Sequence, residues 1–305
     1  MNVTRAISGI VLAAAIVFIL VLAAAIQPAA IVASWPTNMV TMQPPRTATP
    51  VPPTATPVPP SHDVAKGVVA YPPEPEHICA DVAAVGATWY QTGWNLEECP
   101  FAGEVGFVQW TQGLQGDGDL LLVWNELDMA GIGTTEAAIR WHDVIEPAYP
   151  DRLLAGPGAA RWTSNWIPVF WNQYLALYGR PPRLDYVSIH CYSLPGRDCL
   201  AEITAAAAWA SAHGLETIVS EYAALVYGNP YHCGDGCPDC QTEAAGIAEA
   251  TRVLNGIKAV PGIVAVAWYN TRTPGDDLGA MDCNSPLVDS AGNLTVFGEF
   301  YRDWK

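Results

Sequence analysis

Two glutamates in this chain each end a run of apolar, strand-forming residues. Glu126 ends the run LLLVWNE (120–126), and Glu221 ends the run TIVSE (217–221). A buried strand that stops on an acid places the carboxylate at the carboxyl end of the strand, where α/β barrels carry their chemistry. Two such carboxylates suit the cleavage of glycosidic bonds, in which one acid protonates the departing oxygen and a second carboxylate attacks or activates water. Asn125, directly before the first glutamate, makes the pattern more specific.

Strand and helix patterns alternate along the rest of the chain. The predicted strands are 84–90, 104–110, 119–125, 152–156, 185–190, 216–221 and 263–268, and the predicted helices are 135–147, 165–178, 200–213 and 242–259, with Gly214 as a stop and Thr242 as an amino cap. This alternation implies parallel strands joined by crossovers. Because candidate residues lie at several strand ends, it favours a (β/α)8 TIM-like barrel over a doubly wound sheet. Only seven strands are found, so either the barrel is compact or partly degraded near its second and third strands, around 111–118, or an eighth strand lies in a weak segment.

The first 62 residues have the features of an export segment followed by a stalk. No charged residue occurs in 6–26, a length close to the roughly 20 residues that span a bilayer. Arg5 precedes this segment, which places 1–5 in the cytoplasm and the rest of the chain outside. We expect 6–26 to be either a retained membrane anchor or a cleaved signal. A proline- and threonine-rich linker then occupies 27–62, where TATPVPP occurs twice, and the barrel domain occupies 63–305.

Charge and cysteine content both fit an exported domain with an uncharged partner. All 30 acidic side chains lie after residue 60, so the domain should repel nucleic acid. The eight cysteines also lie there, which in an exported chain favours disulfides. Cys191 with Cys199 could close a short loop after one strand, and Cys79 with Cys99 could fasten the start of the domain.

A second group of cysteines leaves two possibilities open. Cys233, Cys237 and Cys240, with His232 beside them, could bind zinc as a Cys3His site. With Cys283, the same cysteines could instead form two disulfides. We favour disulfides because the loop lies outside the reducing cytosol, and we expect neither a metal nor a cofactor.

The order of these motifs resembles glycoside hydrolase clan A, and within it the Asl1-like catalytic domain of glycoside hydrolase family 128. The stretches that carry the resemblance are ATWY (87–90), GFV (106–108), WNELD (124–128), LDYVSIHCY (184–192) and IVSEY (218–222). They are spread over about residues 84 to 270, nearly the whole domain. The resemblance implies a barrel enzyme that cuts a β-1,3-glucan internally, with retention of configuration.

The resemblance also implies a role for each residue of the site. Glu126 would be the general acid/base and Glu221 the nucleophile, and the acid needs a raised pKa near neutral pH. Asn125 would hydrogen-bond the sugar hydroxyl next to the reacting carbon. His190 and Tyr192 lie two apart on an extended segment and so should face the same way, where they would orient the nucleophile and line the cleft.

Aromatic side chains support a carbohydrate partner on physical grounds, because sugar rings present apolar faces that stack on indole and phenol rings. Trp268 is predicted under the reacting sugar, and Trp89 and Trp110 are predicted to bind substrate at other strand ends. We therefore predict a monomeric, extracellular glycoside hydrolase, tethered through its amino-terminal segment or secreted, that acts on a neutral polysaccharide by double displacement. Two alternatives are an extracellular carbohydrate-binding protein without turnover, and a metal-dependent hydrolase or redox module centred on the cysteine cluster.

Overall fold

The computed structural model describes residues 63–70, 77–92, 99–111, 113–116, 118–225, 242–272 and 286–305. The predicted export segment, its linker and the cluster of Cys233, Cys237, Cys240 and Cys283 lie outside these ranges. Within the ranges, each helix is too short or too polar to cross a bilayer.

Eight parallel strands close into a barrel. The strands are β1 (Ala65–Ala70), β2 (Trp89–Thr92), β3 (Gly103–Gln109), β4 (Gly113–Gln115), β5 (Leu120–Val123), β6 (Leu153–Ala155), β7 (Tyr186–Ser193), β8 (Glu216–Ala224) and β9 (Ile263–Tyr269). All except β4 pair in parallel with their neighbours in chain order, and β9 pairs with β1 to complete the ring. The prediction of a (β/α)8 TIM-like barrel is therefore confirmed.

The eighth strand is β1, in a segment for which we predicted no strand. The first predicted strand, 84–90, is wrong in its first half, because a helix occupies Ile78–Ala84 and β2 begins only at Trp89. The short segment 111–118 is not a gap in the barrel. It contains β4, which folds back antiparallel on β3, while β3 still pairs in parallel with both β2 and β5.

The helices cover the outside of the barrel. They are α1 (Ile78–Ala84), α2 (Thr134–Arg140), α3 (Trp166–Tyr178), α4 (Cys199–Ala212), α5 (Glu243–Ile257) and α6 (Val296–Asp303), and α2 continues through a π-helical segment (Trp141–Ile145) to Ala148. The four predicted helices are confirmed with small shifts at their ends. Thr242 caps α5 by accepting the amide of Ala245 at 3.2 Å. Gly214, with φ of 74°, ends α4 and lets the amide of Leu215 reach the carbonyl of Ala210.

Alternation along the strands separates two hydrophobic layers. One lies between the barrel and the helices, and the other fills the barrel interior. At the amino-terminal end of the interior, the indole of Trp89 lies directly against Gly67, where a Cβ would overlap the ring. The Trp89 Nε1 donates to the carbonyl of Ala65 at 3.2 Å, so this ring closes the amino-terminal end of the barrel.

Both disulfides suggested by the sequence are present. Cys79 bonds to Cys99 and joins α1 to the segment before β3, while Cys191 bonds to Cys199 and joins the outer face of β7 to the start of α4. Structural disulfides persist in oxidising compartments, so both bonds indicate a secreted or extracellular domain.

Candidate active site

Glu126 lies in a turn that follows β5 directly. Trp124 and Glu126 have φ values of 65° and 47°, in the left-handed region that residues other than glycine rarely adopt. The turn is held on both sides, because the Trp124 amide donates to Val108 at 2.8 Å and the Glu126 carbonyl accepts the Met129 amide at 2.9 Å. The indole of Trp124 consequently packs in the outer layer, and the Glu126 carboxylate remains at the mouth of the barrel with 18% of its side chain exposed.

Glu221 reaches the same mouth because of a β-bulge in β8. The consecutive β7 residues Ile189 and His190 pair with Val219 and Glu221, so that Ser220 is an extra residue. Val219 packs in the outer layer, and the Ser220 hydroxyl points inward, 2.6 Å from that of a β7 serine. Regular alternation would turn the next side chain outward. The bulge instead directs Glu221 inward as well.

His190 lies between the two glutamates. Its Nδ1 is 3.0 Å from Oε1 of Glu126 and 3.2 Å from Oε2 of Glu221. One carboxylate oxygen from each glutamate and one ring nitrogen all lie within 4.8 Å of one another. The imidazole is almost fully buried, so it bridges the two carboxylates where its ring is shielded from solvent.

Tyr192 completes the group from the next inward position of β7. Its hydroxyl donates a short hydrogen bond to Oε2 of Glu221. Its ring meets that of Tyr269, at the end of β9, edge to face at 5.8 Å. Two residues apart on one strand, Tyr192 and His190 thus contact the same glutamate from the same side, as the spacing predicted.

Two supporting residues near the site were not found from the sequence. The carboxylate of Asp128 accepts the amides of Ala160 and Arg161 at 2.9 and 3.2 Å, which fixes the loop that follows β6. In that loop a Cβ on Gly158 would lie 2.8 Å from the carbonyl of Trp124, so the close approach of the two loops requires glycine. The motif WNELD contained Asp128, but nothing in the sequence indicated its partners.

Burial and mutual charge set the ionisation of this group. Burial lowers the pKa of His190. The nearby charge of Glu221 and the hydrogen bond to Glu126 raise this pKa by more than burial lowers it, so the net shift is upward. Burial raises the pKa of Glu126, yet the hydrogen bond and charge of His190 hold it below its usual value. Burial dominates at Glu221 and raises its pKa, although His190 and the Tyr192 hydroxyl oppose the shift.

These directions differ from the expectation that Glu126 carries the raised pKa. The physical reason is the imidazolium beside it, whose charge and hydrogen bond outweigh the effect of burial at Glu126 but not at the more deeply buried Glu221. The raised pKa of His190 favours a proton on this residue, between the two carboxylates.

The predicted tryptophans lie in different places. Trp89 closes the amino-terminal end of the barrel, and Trp268 is fully buried against α6, with rings of Phe297 and Tyr301 at 5.7 and 5.4 Å. Neither lies where a sugar could reach it, which corrects both predictions. At the end of β9 the aromatic ring that faces the interior is that of Tyr269, because the alternation turns Trp268 outward.

Trp110 and Asn125 do lie at the carboxyl end of the barrel. Trp110 is partly exposed and packs edge to face on Trp124 at 4.7 Å, with the guanidinium of Arg140 over its ring. Asn125 is exposed directly before Glu126. Among the described residues, Glu126, His190 and Glu221 form the one group of three side chains whose ligand atoms converge closely enough to hold a metal ion.

Comparison with known protein families identifies the domain that carries this group of residues. Residues 89–301 match the model of the glycosyl hydrolase catalytic core family. The chain belongs to this family. The prediction of a glycoside hydrolase is thereby confirmed, and both glutamates lie within the matched region. A search of curated proteins finds no significant sequence relative.

Several solved structures with a similar fold come from glycoside hydrolase family 128, which bears out the resemblance seen in the sequence. A subgroup I endo-β-1,3-glucanase from Amycolatopsis mediterranei, solved with laminarihexaose, has 18% identity and a TM-score of 0.59, covering 80% of this chain and 100% of that one. A subgroup VI exo-β-1,3-glucanase from Aureobasidium namibiae has 18% identity and a TM-score of 0.56, covering 79% and 97%. A subgroup III curdlan-specific exo-β-1,3-glucanase from Blastomyces gilchristii has 15% identity and a TM-score of 0.55, covering 78% and 97%.

Proposed function

We propose that this glycosyl hydrolase is an endo-β-1,3-glucanase that cleaves its substrate with retention of configuration. The observation that carries the proposal is the bridge of Glu126 and Glu221 by one imidazole nitrogen, at 3.0 and 3.2 Å. His190 and Glu221 are buried, the group lies at the carboxyl end of the barrel strands, and the chain belongs to a family of glycosyl hydrolases.

The spacing of the two carboxylates supports double displacement. Retaining enzymes hold their carboxyl groups about 5 to 5.5 Å apart, whereas inverting enzymes need roughly 6.5 to 9.5 Å to place a water molecule between acid and base. Here an oxygen of Glu126 and an oxygen of Glu221 both lie within 4.8 Å of the same ring nitrogen and of each other. This close approach of the two carboxylates supports a retaining enzyme.

The proposed roles follow the two positions. Glu221, buried and oriented by Tyr192, attacks the anomeric carbon and forms a glycosyl ester, while Glu126, at the more exposed mouth, protonates the departing oxygen. The proton starts on Nδ1 of His190, 3.0 Å from Oε1 of Glu126, and passes to Glu126 when bound substrate excludes water and raises the pKa of that carboxyl. In the second step Glu126 takes a proton from water as the water oxygen attacks the anomeric carbon, which breaks the bond to Glu221 and frees its carboxylate.

The relatives support the choice of substrate and mode of action. The Amycolatopsis mediterranei endo-β-1,3-glucanase was solved in complexes with laminarihexaose, laminaritriose and laminaripentaose, and several of those structures carry a single substituted glutamate. The two substituted glutamates are 97 residues apart in that chain, and Glu126 and Glu221 are 95 residues apart in this one. The nearly equal spacing supports the choice of Glu126 and Glu221 as the reacting pair in this chain.

We further propose that the enzyme acts as a monomer outside the cell, tethered through 6–26 or released after cleavage of that segment. The two disulfides support the compartment, and the catalytic group is complete within one chain.

The first experiment identifies the substrate and the stereochemistry. The full chain should shorten laminarin from within and release oligosaccharides, while β-1,4-linked glucans of equal length are cleaved poorly. Proton NMR of a laminarihexaose digest should show the β-anomer first, with the α-anomer appearing only by mutarotation. Initial release of the α-anomer would overturn the retaining mechanism, and binding of laminarihexaose without cleavage would favour a carbohydrate-binding protein.

A second experiment assigns the two roles. Glu126→Gln should lower kcat by about 10² to 10⁴-fold, and Glu221→Gln should abolish turnover. Azide should restore cleavage in Glu126→Ala with a β-glycosyl azide product, and in Glu221→Ala with an α-glycosyl azide, because azide replaces water in one case and the nucleophile in the other. The matched control is Glu216→Gln, since Glu216 is an exposed glutamate at the opposite end of β8 and should be dispensable. Exchange of the two azide products would reverse the roles.

A further inference from the structure

Gln91 is a buried amide whose carbonyl oxygen has no partner in the described part of the chain. It lies in β2, and only 5% of the residue is exposed to solvent. No hydrogen-bond donor among the described residues reaches its Oε1. An unpaired buried carbonyl lowers the stability of the fold, so its presence calls for an explanation such as a bound ligand or an internal water.

The strand pairing places Gln91 on the interior face of the barrel. Its two lateral partners, Val69 of β1 and Val105 of β3, both belong to the interior cluster. Trp89, two residues earlier on the same face, closes the interior below it. The amide is therefore accessible only from the carboxyl end, where the catalytic glutamates lie.

A short chain of contacts connects Gln91 to the nucleophile. Val69, its neighbour in β1, pairs on its other side with Tyr269 of β9. The ring of Tyr269 meets that of Tyr192, whose hydroxyl donates to Glu221. Gln91 thus lies on the interior face of the barrel wall opposite β7, and we infer that it lines the cavity above which Glu221 lies.

We propose that Gln91 binds the sugar unit that Glu221 attacks, with its Oε1 accepting a hydrogen bond from a hydroxyl group of that unit. This inference rests on the proposed function, because it takes the pocket to hold a glucosyl residue. A hydroxyl donor supplies what the unpaired acceptor lacks, and the residue would add affinity for a hydroxylated ring without taking part in bond cleavage.

Gln91→Met tests the proposal, since methionine keeps the length of the side chain and removes the acceptor. We expect kcat/KM for laminarihexaose to fall about 5- to 30-fold, the effect of one lost hydrogen bond to a bound group. The affinity of the Glu126→Gln protein for laminaritriose, measured by calorimetry, should fall by a similar factor when Gln91→Met is added. The melting temperature should stay equal to that of the wild type or rise, because an unpaired buried carbonyl has been removed.

Thr217→Val is the matched control. Thr217 is fully buried with an unpaired hydroxyl, but it lies at the amino-terminal end of β8, far from the catalytic end. Its replacement should leave kcat/KM and laminaritriose binding unchanged.

Retention of full kcat/KM and binding in Gln91→Met would overturn the inference and leave the proposed glucanase intact. A melting temperature lowered by more than about 2 to 4 °C would also overturn it, since Gln91 would then be paired in the folded protein, for example with an internal water. The stability measurement uses no substrate. Failure of the wild type to bind or cleave laminarihexaose would instead refute the proposed function.

Discussion

Replacement of Tyr192 by phenylalanine should shift the pH dependence of the enzyme. The Tyr192 hydroxyl donates to Oε2 of Glu221 inside the buried group, and this bond helps to keep the carboxylate ionised. A hydrogen bond to a charged group contributes about 1.5 to 3 kcal/mol, and one pKa unit corresponds to about 1.4 kcal/mol. Loss of the hydroxyl should therefore raise the pKa of Glu221 by about one to two units, on top of the rise that burial already causes.

A nucleophile acts in its ionised form, so the acid limb of kcat/KM against pH should move to higher pH by the same amount. Activity below that limb should fall about 10- to 100-fold and recover at higher pH, because the loss concerns ionisation and not geometry. The assay is hydrolysis of laminarihexaose over the pH range in which the protein stays folded. Tyr186→Phe is the control, since Tyr186 lies on the same face of β7 at its other end. A uniform loss at every pH, with the acid limb in place, would refute the reasoning.

Three further predictions concern stability. Replacement of Cys191 and Cys199 by alanine should lower the free energy of unfolding by about 2 to 3 kcal/mol, the loop-closure value for this short separation, and an unchanged urea midpoint would contradict it. Gly67→Ala should lower the free energy of unfolding by about 1 to 3 kcal/mol, because the new Cβ would overlap the indole of Trp89. Gly103→Ala is the control and should be neutral, since a Cβ there has no neighbour within 4 Å. Equal melting temperatures for the two variants would count against the overlap. The raised pKa of His190 adds stability that is complete below about pH 6.5 and is lost as the pH rises through the folded-state value. His190→Gln should flatten this dependence in urea titrations at several pH values, and an unaltered slope would contradict the assignment.

The regular part of the fold could be predicted from local patterns. Apolar runs predicted six of the barrel strands and four helices, and Thr242 and Gly214 predicted where two of those helices begin and end. The strand Ala65–Ala70 escaped because it directly follows the linker and contains a lysine and a glycine, and its identity as a strand depends on pairing with β2 and β9. Such pairing joins distant parts of the chain and leaves little trace in the segment itself.

The site was predicted in part. Glu126, Glu221, His190 and Tyr192 are brought together, because strand ends and a two-residue spacing determine where they point. Trp268 was misplaced since its orientation depends on which face of β9 turns inward, and the run IVAVAWY is apolar on both faces. The ionisation of the group was also out of reach, because it follows from burial and distances that the sequence does not contain.

The extra residue in β8 also bears on how such a barrel could gain or lose activity. Deletion of Ser220 would place Glu221 directly after Val219, where regular alternation also points the carboxylate inward and opposite His190. A slip of β8 by one residue, with Ser220 opposite His190 and no bulge, would instead turn Glu221 toward the apolar layer behind the strand. In sequence comparisons within this family, a segment between Thr217 and Glu221 that is one residue shorter is therefore compatible with a catalytic glutamate, and the register of β8 decides on which side of the barrel wall the carboxylate lies.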